Sequence, residues 1–194
     1  MKNIILLSLF FTLYLQIFPK QTELLNVSYE HSEFLDKNIN SINDFSLAYS
    51  QWQIHEYNKS PLIFIKFSFG NFESQENIKE NFHTSIAYEQ MYSKSFNSFV
   101  TQNFLLGLSY NIFDFTYNEL VTYNNSQFTG DSIHALELYL SYGLEFKLSK
   151  NTSINLSCIP QLFLFKDNTE RGIENNLMEN SLAIGYNFGL THTF

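Results

Sequence analysis

The chain has 194 residues, which is the length of one domain. Aromatic residues make up 18% of it and charged residues only 15%, whereas a soluble domain carries about 25% charged residues. The net charge of −8, with no basic stripe, argues against a nucleic-acid partner, and the single Cys158 excludes an internal disulfide.

The N-terminus has the order of an export signal. A basic start at Lys2 is followed by an apolar run over 4–18, which Pro19 ends. This order is typical of a cleaved signal peptide, although no small-x-small triplet precedes Gln21. We therefore predict a signal peptide over 1–21 and one mature domain over 22–194. The alternative is an uncleaved anchor, for which the apolar run is short.

Eight later segments alternate bulky apolar side chains with small or polar ones. This period of two predicts strands whose two faces meet different surroundings. One segment slips in phase before Trp52, which predicts a β-bulge, and Pro160 interrupts another. An aromatic-rich soluble sandwich is the alternative to a barrel. The predicted strands cover 24–34, 44–57, 62–70, 82–92, 99–112, 133–148, 152–166 and 181–194.

The connections between these segments alternate between short and long. The three short ones each contain a lysine next to a serine (Lys59, Lys94 and Lys150), and the long ones cover 36–43, 71–81, 113–130 and 167–180. This alternation is typical of outer-membrane barrels, which have short periplasmic turns and long outer loops. We predict a closed antiparallel up-and-down transmembrane β-barrel of eight strands, with the long connections facing the cell exterior.

The segment 113–130 leaves the strand count open. Phe113, Phe115 and Tyr117 alternate with polar residues, but the apolar phase flips between Ile112 and Phe113. A further strand here would break the alternation of turns and loops. We interpret the segment as a loop with hairpin character, and a ten-stranded barrel is the fallback.

The last strand ends in a recognisable motif. Tyr186, Phe188, Leu190 and Phe194 fall on alternate positions up to the terminal residue, with His192 between them where an aromatic is usual. This ending resembles the C-terminal assembly signal of bacterial outer-membrane barrels, and the whole mature chain resembles the small outer-membrane β-barrel proteins of Bacteroidetes-type bacteria. The resemblance implies location in the cell outer membrane. It also implies outer-membrane lipid and the barrel-assembly machinery as partners.

Charged residues on the predicted inward faces form the main candidate site. The lumen of an eight-stranded barrel is just wide enough for side chains, so charges there need partners. We predict a structural charge network in which Lys147 stabilises a buried carboxylate. Its proposed members are Lys66, Glu89, Glu137, Glu145 and Lys147.

Two histidine-containing segments are candidates for a catalytic site. His31 and Ser32 are neighbours in a strand and point to opposite faces. His83, Ser85 and Glu89 share a face, but Glu89 is about 20 Å along the strand from His83, too far to orient it. We predict lumen packing for His83, and no catalytic residue, cofactor or metal site.

The sequence favours a non-enzymatic barrel that anchors and presents extracellular loops for envelope integrity, adhesion or binding. A narrow channel for ions or small solutes is the second hypothesis, and a lipid A-modifying enzyme is the third. The extracellular ligand and the oligomeric state stay open.

Overall fold

The computed structural model describes residues 22–35, 39–52, 62–74, 78–123, 126–165 and 181–194. These residues form one closed antiparallel barrel. Within these ranges, no helix is both long and apolar enough to cross a membrane. The predicted signal peptide and the predicted loop over 167–180 lie outside the described residues. The strands are β1 (Thr22–Phe34), β2 (Ile39–Trp52), β3 (Leu62–Ser74), β4 (Ile78–Ser95), β5 (Val100–Tyr123), β6 (Ser126–Lys147), β7 (Thr152–Phe165) and β8 (Ser181–Thr193).

Each strand pairs with the next one along the chain, and β1 closes the barrel on β8. The closing ladder runs from Leu24 opposite Thr193 to Phe34 opposite Ala183. Closure satisfies the backbone groups that an open sheet would leave at its edges. The prediction of eight strands is confirmed, and the ten-stranded fallback is wrong.

The outward face is a continuous apolar belt. All eight strands expose large apolar side chains on it, at the positions that the period of two predicts. Water-soluble monomers rarely expose apolar surface on this scale, whereas a membrane barrel turns such a band toward lipid. One representative from each strand is Val27, Phe45, Phe67, Ile86, Leu106, Leu138, Leu156 and Phe188.

The two ends of the barrel differ. At the turn end, which also holds both ends of the described barrel, tight turns follow β4 and β6. Asn97 Oδ1 accepts backbone N–H groups at 2.8 and 2.9 Å, and Ser149 Oγ accepts two more at 3.1 and 3.2 Å. The predicted turn at Lys150 is confirmed. The turn predicted at Lys94 lies slightly later, at 96–99, and Lys94 itself is in β4 opposite Gln102. The turn predicted at Lys59 lies outside the described residues.

At the opposite end, which we call the hairpin end, the strands are longer than predicted. β2 already begins at Ile39, and β3 and β4 occupy most of the predicted loop over 71–81. The interpretation of 113–130 as a loop is wrong, because β5 and β6 continue through it as a paired hairpin. Register shifts occur near this end, including one between Thr116 and Val121.

The phase flip at Ile112 and Phe113 has a structural cause. Side chains on β5 keep alternating without a slip, and Asn111, Phe113 and Phe115 all point into the lumen and are buried. What changes is the lumen itself, which is polar beside Asn111 and aromatic from Phe113 onward. An apolar pattern that switches faces therefore marks a change in the barrel interior.

Two strand irregularities were predicted. The bulge expected before Trp52 does not appear on the described part of β2, where the register shift with β3 lies instead between Ile39 and Ser41. The strand containing Pro160 is not interrupted as predicted, because β7 runs through it and pairs with β8 there, but pairing with β6 is. The β6–β7 ladder skips from Tyr139 opposite Gln161 to Tyr142 opposite Cys158 without changing register, since proline has no N–H to donate.

Candidate functional site

The barrel interior has three layers. An aromatic cluster fills it near the hairpin end, a charge network crosses its middle, and a cavity opens at the turn end. The same inward-facing alternation positions all three, because every second residue of each strand enters the lumen. The chemical character of the interior therefore changes along the barrel axis.

The aromatic cluster closes the interior near the hairpin end. Phe72, Phe113 and Phe163 are at most 2% exposed. The rings of Phe72 and Phe113 meet edge to face at 5.3 Å between centroids, and Phe113 lies 6.3 Å from Phe163. Edge-to-face contacts are a favourable aromatic geometry. Phe34 and Phe165 pack on the same cluster, which leaves an apolar layer across the lumen.

Lys66 is the centre of the charge network. Its Nζ donates to Glu30 Oε2 at 2.8 Å and lies 3.5 Å from Glu89 Oε1. All three residues are less than a tenth exposed. Gln161 Nε2 donates to the second oxygen of Glu30 at 2.9 Å. Lys66 is thus held between two carboxylates from different strands.

Tyr139 completes this part of the network. Its hydroxyl donates to Glu89 Oε1 at 2.6 Å, and Lys66 Nζ lies 5.3 Å from the centre of its ring. The ring lies across Gly107 on the neighbouring strand, where a Cβ would overlap ring atoms. Gly107 is therefore needed for close approach, so that Tyr139 can cross the lumen.

A second chain of hydrogen bonds connects the network to the aromatic cluster. His83 Nδ1 lies 2.7 Å from Asp44 Oδ2, and His83 Nε2 lies 3.0 Å from Asn111 Oδ1. Asn111 Nδ2 in turn donates to Ser109 Oγ at 2.6 Å and to Glu137 Oε2 at 3.2 Å. The His83 ring also packs on Phe113, with centroids 4.6 Å apart.

The structure brings together three of the five residues proposed for the network, Lys66, Glu89 and Glu137, in the middle of the lumen. Glu145 lies nearer the turn end, where Ser153 Oγ and Asn103 Nδ2 donate to it at 2.5 and 3.3 Å. Lys147 is exposed at that end, and no carboxylate of the described strands lies within ion-pair distance of it. The structure therefore does not contain the predicted pair between Lys147 and a buried carboxylate.

Sequence reasoning missed three members of the network: Glu30, Asp44 and His83, whose ring contacts Asp44. A signal for Glu30 was present, since it shares the inward face of β1 with Asn26 and Ser28. Asp44 is the first residue of its predicted strand, although β2 begins five residues earlier at Ile39. Asp44 lies within the predicted strand and shares its inward face with Ser46 and Ala48, so its inward position could also have been found.

The turn-end cavity has a volume of about 390 Å³. Lys66, Glu89 and Tyr139 line it at the middle of the barrel, and Lys147 and Lys150 line it at the turn end. An apolar patch on β1–β4 forms one wall, and amide and hydroxyl side chains form much of the other. The apolar patch consists of Leu24, Ala48, Leu62, Phe64 and Met91.

The histidines considered as catalytic candidates have structural partners. Both ring nitrogens of His83 are taken by Asp44 and Asn111, as described above. His31 lies on the outward side of β1, where Asn43 Oδ1 is 2.8 Å from its Nδ1, while Ser32 is buried in the lumen. The prediction that His31 and Ser32 point to opposite faces is confirmed. Among the described residues, no group of three or more His, Cys, Asp or Glu residues is arranged to hold a metal ion.

The residues of the proposed assembly signal lie on the outward face of β8. Tyr186, Phe188, Leu190 and Phe194 are all about half exposed or more. The Phe194 N–H donates to the backbone oxygen of Glu23 at 3.0 Å, and its ring meets His192 edge to face at 4.7 Å. Phe194 therefore sits at the seam where the last strand closes on the first.

We expect deletion of Phe194 to lower the amount of barrel in the outer membrane severalfold. The deletion removes an aromatic group at the closing seam and the motif that resembles an assembly signal. Quantitative immunoblots of outer-membrane fractions would measure this. Deleting the ring alone, with Phe194→Ala, should give an intermediate loss, whereas unchanged levels in both variants would contradict the prediction.

No family model matches the chain, and no curated protein matches it in sequence. Solved structures do match. The chain is similar to Neisserial surface protein A, with a TM-score of 0.58 and 12% identity over 90% of this chain and 97% of that one. It is also similar to Ail, the attachment invasion locus protein of Yersinia pestis, with a TM-score of 0.55 and 15% identity over 90% and 99%.

A third similar structure is a major outer membrane protein from Thermus thermophilus. Its TM-score is 0.51 at 10% identity, and the match covers 89% of this chain and 99% of that one. The chain has the fold of small outer-membrane β-barrels. This fold and the apolar belt together support location in an outer membrane.

Proposed function

We propose that the chain is a non-enzymatic outer-membrane anchor that holds the β5–β6 hairpin beyond the membrane for binding at the cell surface. We also propose that the chain belongs to the Bacteroidetes-type family of small outer-membrane barrels. The observation that carries the proposal is the unequal length of the strands. Within the residues that the structure describes, β5 and β6 have 24 and 22 residues, whereas the other six strands have 13 to 18.

Among the described residues, the extra length is paired only within the hairpin. The ladder between β4 and β5 ends with Ile78 opposite Tyr117, and described pairing between β6 and β7 begins at Ala135. Beyond these points β5 and β6 pair with each other, up to Tyr123 opposite Ser126. Beyond Gly130 the β6 arm has four more strand residues, 126–129, so the hairpin extends about 13 Å past the Thr116–Gly130 pair. A paired hairpin of that reach suits the presentation of a binding surface.

The filled lumen supports an anchor over a channel. A solute would have to pass the aromatic cluster and then displace the ion pairs of Lys66, which cross the middle of the barrel. A barrel of eight strands is just wide enough for its own side chains. The hydrogen bonds of His83 to Asp44 and Asn111 likewise favour a structural role over lipid-modifying catalysis.

We expect the hairpin tip to lie outside the cell and the opposite turns to face the periplasm. In a Cys158→Ser background, Asn124→Cys should react with an impermeant maleimide on intact cells. Ser98→Cys, in the exposed turn at the other end, is the matched control and should react only after the outer membrane is opened. Labelling of Ser98→Cys on intact cells would overturn this orientation.

The function itself is tested by shortening the hairpin. Replacing 117–129 with Asn-Gly, a favoured two-residue hairpin turn that keeps Thr116 opposite Gly130, should leave the amount of folded barrel unchanged. Adhesion of the cells to immobilised host-cell matrix and to sister cells should fall to the level of cells without the barrel. Full adhesion with a correctly inserted short variant would refute the proposal.

We expect no stable conductance from the purified barrel in planar bilayers, because the aromatic cluster and the charge network both cross the lumen. Phe113→Ala alone should not open the barrel, since the Lys66 ion pairs remain below it. A steady ohmic current through the unmodified protein would favour the channel hypothesis instead.

A further inference from the structure

The turn-end cavity is a blind pocket of ligand size. Its volume of about 390 Å³ falls in the range of about 300–1,000 Å³ that is usual for small-molecule sites. It ends inside the barrel at Lys66, Glu89 and Tyr139, whose mutual contacts close the middle of the lumen. A ligand would enter and leave through the turn end.

The walls of this cavity differ in chemistry. Five inward-facing residues of β1–β4 make an apolar wall, although inward positions elsewhere in this half of the barrel are mainly polar. Covering such a wall with an apolar group is favourable, because it removes apolar surface from water. Across from it, Asn155, Asn187 and Thr191 offer amide and hydroxyl groups. One side of a ligand should thus be apolar and the other able to form hydrogen bonds.

The charges of the cavity are unequal at its two ends. At the floor, one cation, Lys66, stands between the carboxylates of Glu30 and Glu89, which leaves a net negative charge. At the mouth, the described lining residues include the cations Lys147 and Lys150 and one carboxylate, Glu145, so positive charge is in excess among them. A ligand that carries a cation at its inner end and an anion at its outer end complements both.

We propose that this cavity binds a short zwitterionic peptide, with its amino end at the floor near Glu89 and its carboxylate near Lys147 and Lys150. The peptide backbone would face the amide and hydroxyl wall, and small apolar side chains would face Leu62, Phe64 and Met91. On β6, the floor residue Tyr139 and the mouth residue Lys147 are about 20 Å apart along the barrel axis, for strands tilted by about 40°. With the reach of the lysine side chains, three to five extended residues at about 3.3 Å each span that distance.

The proposal is tested by calorimetric titration of the refolded, detergent-solubilised protein with the peptide Ala-Leu-Ala-Ala. We expect saturable binding of one peptide per barrel with a Kd below about 1 mM. N-acetylation or C-amidation should each weaken binding about tenfold, because each removes one charge-assisted contact. Sucrose and dodecanoate are the competing ligand classes, and neither should bind as tightly as the peptide.

Matched variants locate the site. Lys147→Gln combined with Lys150→Gln should weaken binding severalfold, and both side chains are exposed, so folding is unaffected. Lys94→Gln removes an exposed lysine at the same end that does not line the cavity, and it should leave binding unchanged. Met91→Ser tests the apolar wall and should also weaken binding, with a gel-shift assay to verify that the barrel is folded.

Several results would overturn the proposal. These are no saturable heat with the peptide, equal binding of the acetylated form, equal weakening by Lys94→Gln, or tighter binding of dodecanoate or sucrose. None of these results tests the β5–β6 hairpin, so the proposed function at the cell surface is tested independently of the cavity.

Discussion

Replacing Lys66 with Met should destabilise the barrel by about 3–5 kcal/mol, the usual cost of breaking a buried ion pair by removing one partner. Lys66 is 8% exposed and is the cation that contacts both Glu30 and Glu89. Without it, two carboxylates repel each other in the middle of the lumen. Urea titration in detergent, followed by the gel-mobility difference between folded and unfolded barrel, would measure the free energy of unfolding.

Lys147→Met is the matched control for this experiment. From the sequence alone we expected Lys147 to hold a buried carboxylate, but the structure places it exposed at the turn end. Its replacement should therefore change the free energy of unfolding by less than about 1 kcal/mol, as for other exposed charges. Equal losses in the two variants would show that Lys66 has no special role in the lumen.

Phe113→Ala should cost about 3–5 kcal/mol, the range measured for large-to-small changes at buried aromatic positions. Phe113 is 1% exposed and contacts Phe72, Phe163, Phe165 and His83. Its loss would leave a void that rings from separate strands cannot close by small shifts. The same urea titration measures the effect.

Phe104→Ala on the same strand provides the comparison. Phe104 is 46% exposed on the outward belt, so its ring contacts detergent or lipid instead of other side chains of the interior. We expect a clearly smaller loss for Phe104→Ala. If both phenylalanines cost the same, the aromatic cluster contributes no more than ordinary belt residues do.

The fold could be predicted from the sequence because period-two alternation is a local property. Residues such as Leu136, Leu138 and Leu140 alternate so regularly that the face they share, and its contact with lipid, follow directly. The eight-strand count and the inward positions of Glu89 and Glu137 were therefore accessible. Strand ends at the hairpin end were not, because there the interior becomes apolar and the apolar side of the pattern switches from the outward to the inward face.

The sequence could not predict which charged residues pair with each other inside the lumen. Lys66 and Glu30 are 36 residues apart in the chain and meet only because β1, β2 and β3 are adjacent in the closed barrel. Which inward residues share a level depends on the stagger of neighbouring strands, and this stagger is not written in any local pattern. For this reason the predicted position of Lys147 was wrong: the residue is on the expected inward face, but it lies at the turn end of the barrel axis and not at the level of the charge network.

The gap in the β6–β7 ladder at Pro160 has a consequence for how the barrel opens. Pairing is continuous on both sides of the gap, so the β6–β7 ladder consists of two separate paired segments. Each segment ends at the gap, where the hydrogen bond that Pro160 cannot donate is missing, so the pairs next to the gap open more easily than pairs inside a continuous ladder. The amide protons of Leu140 and Cys158, which point toward the β6–β7 seam beside the gap, should therefore exchange with deuterium ahead of those at the centre of the β4–β5 seam, where pairing is uninterrupted.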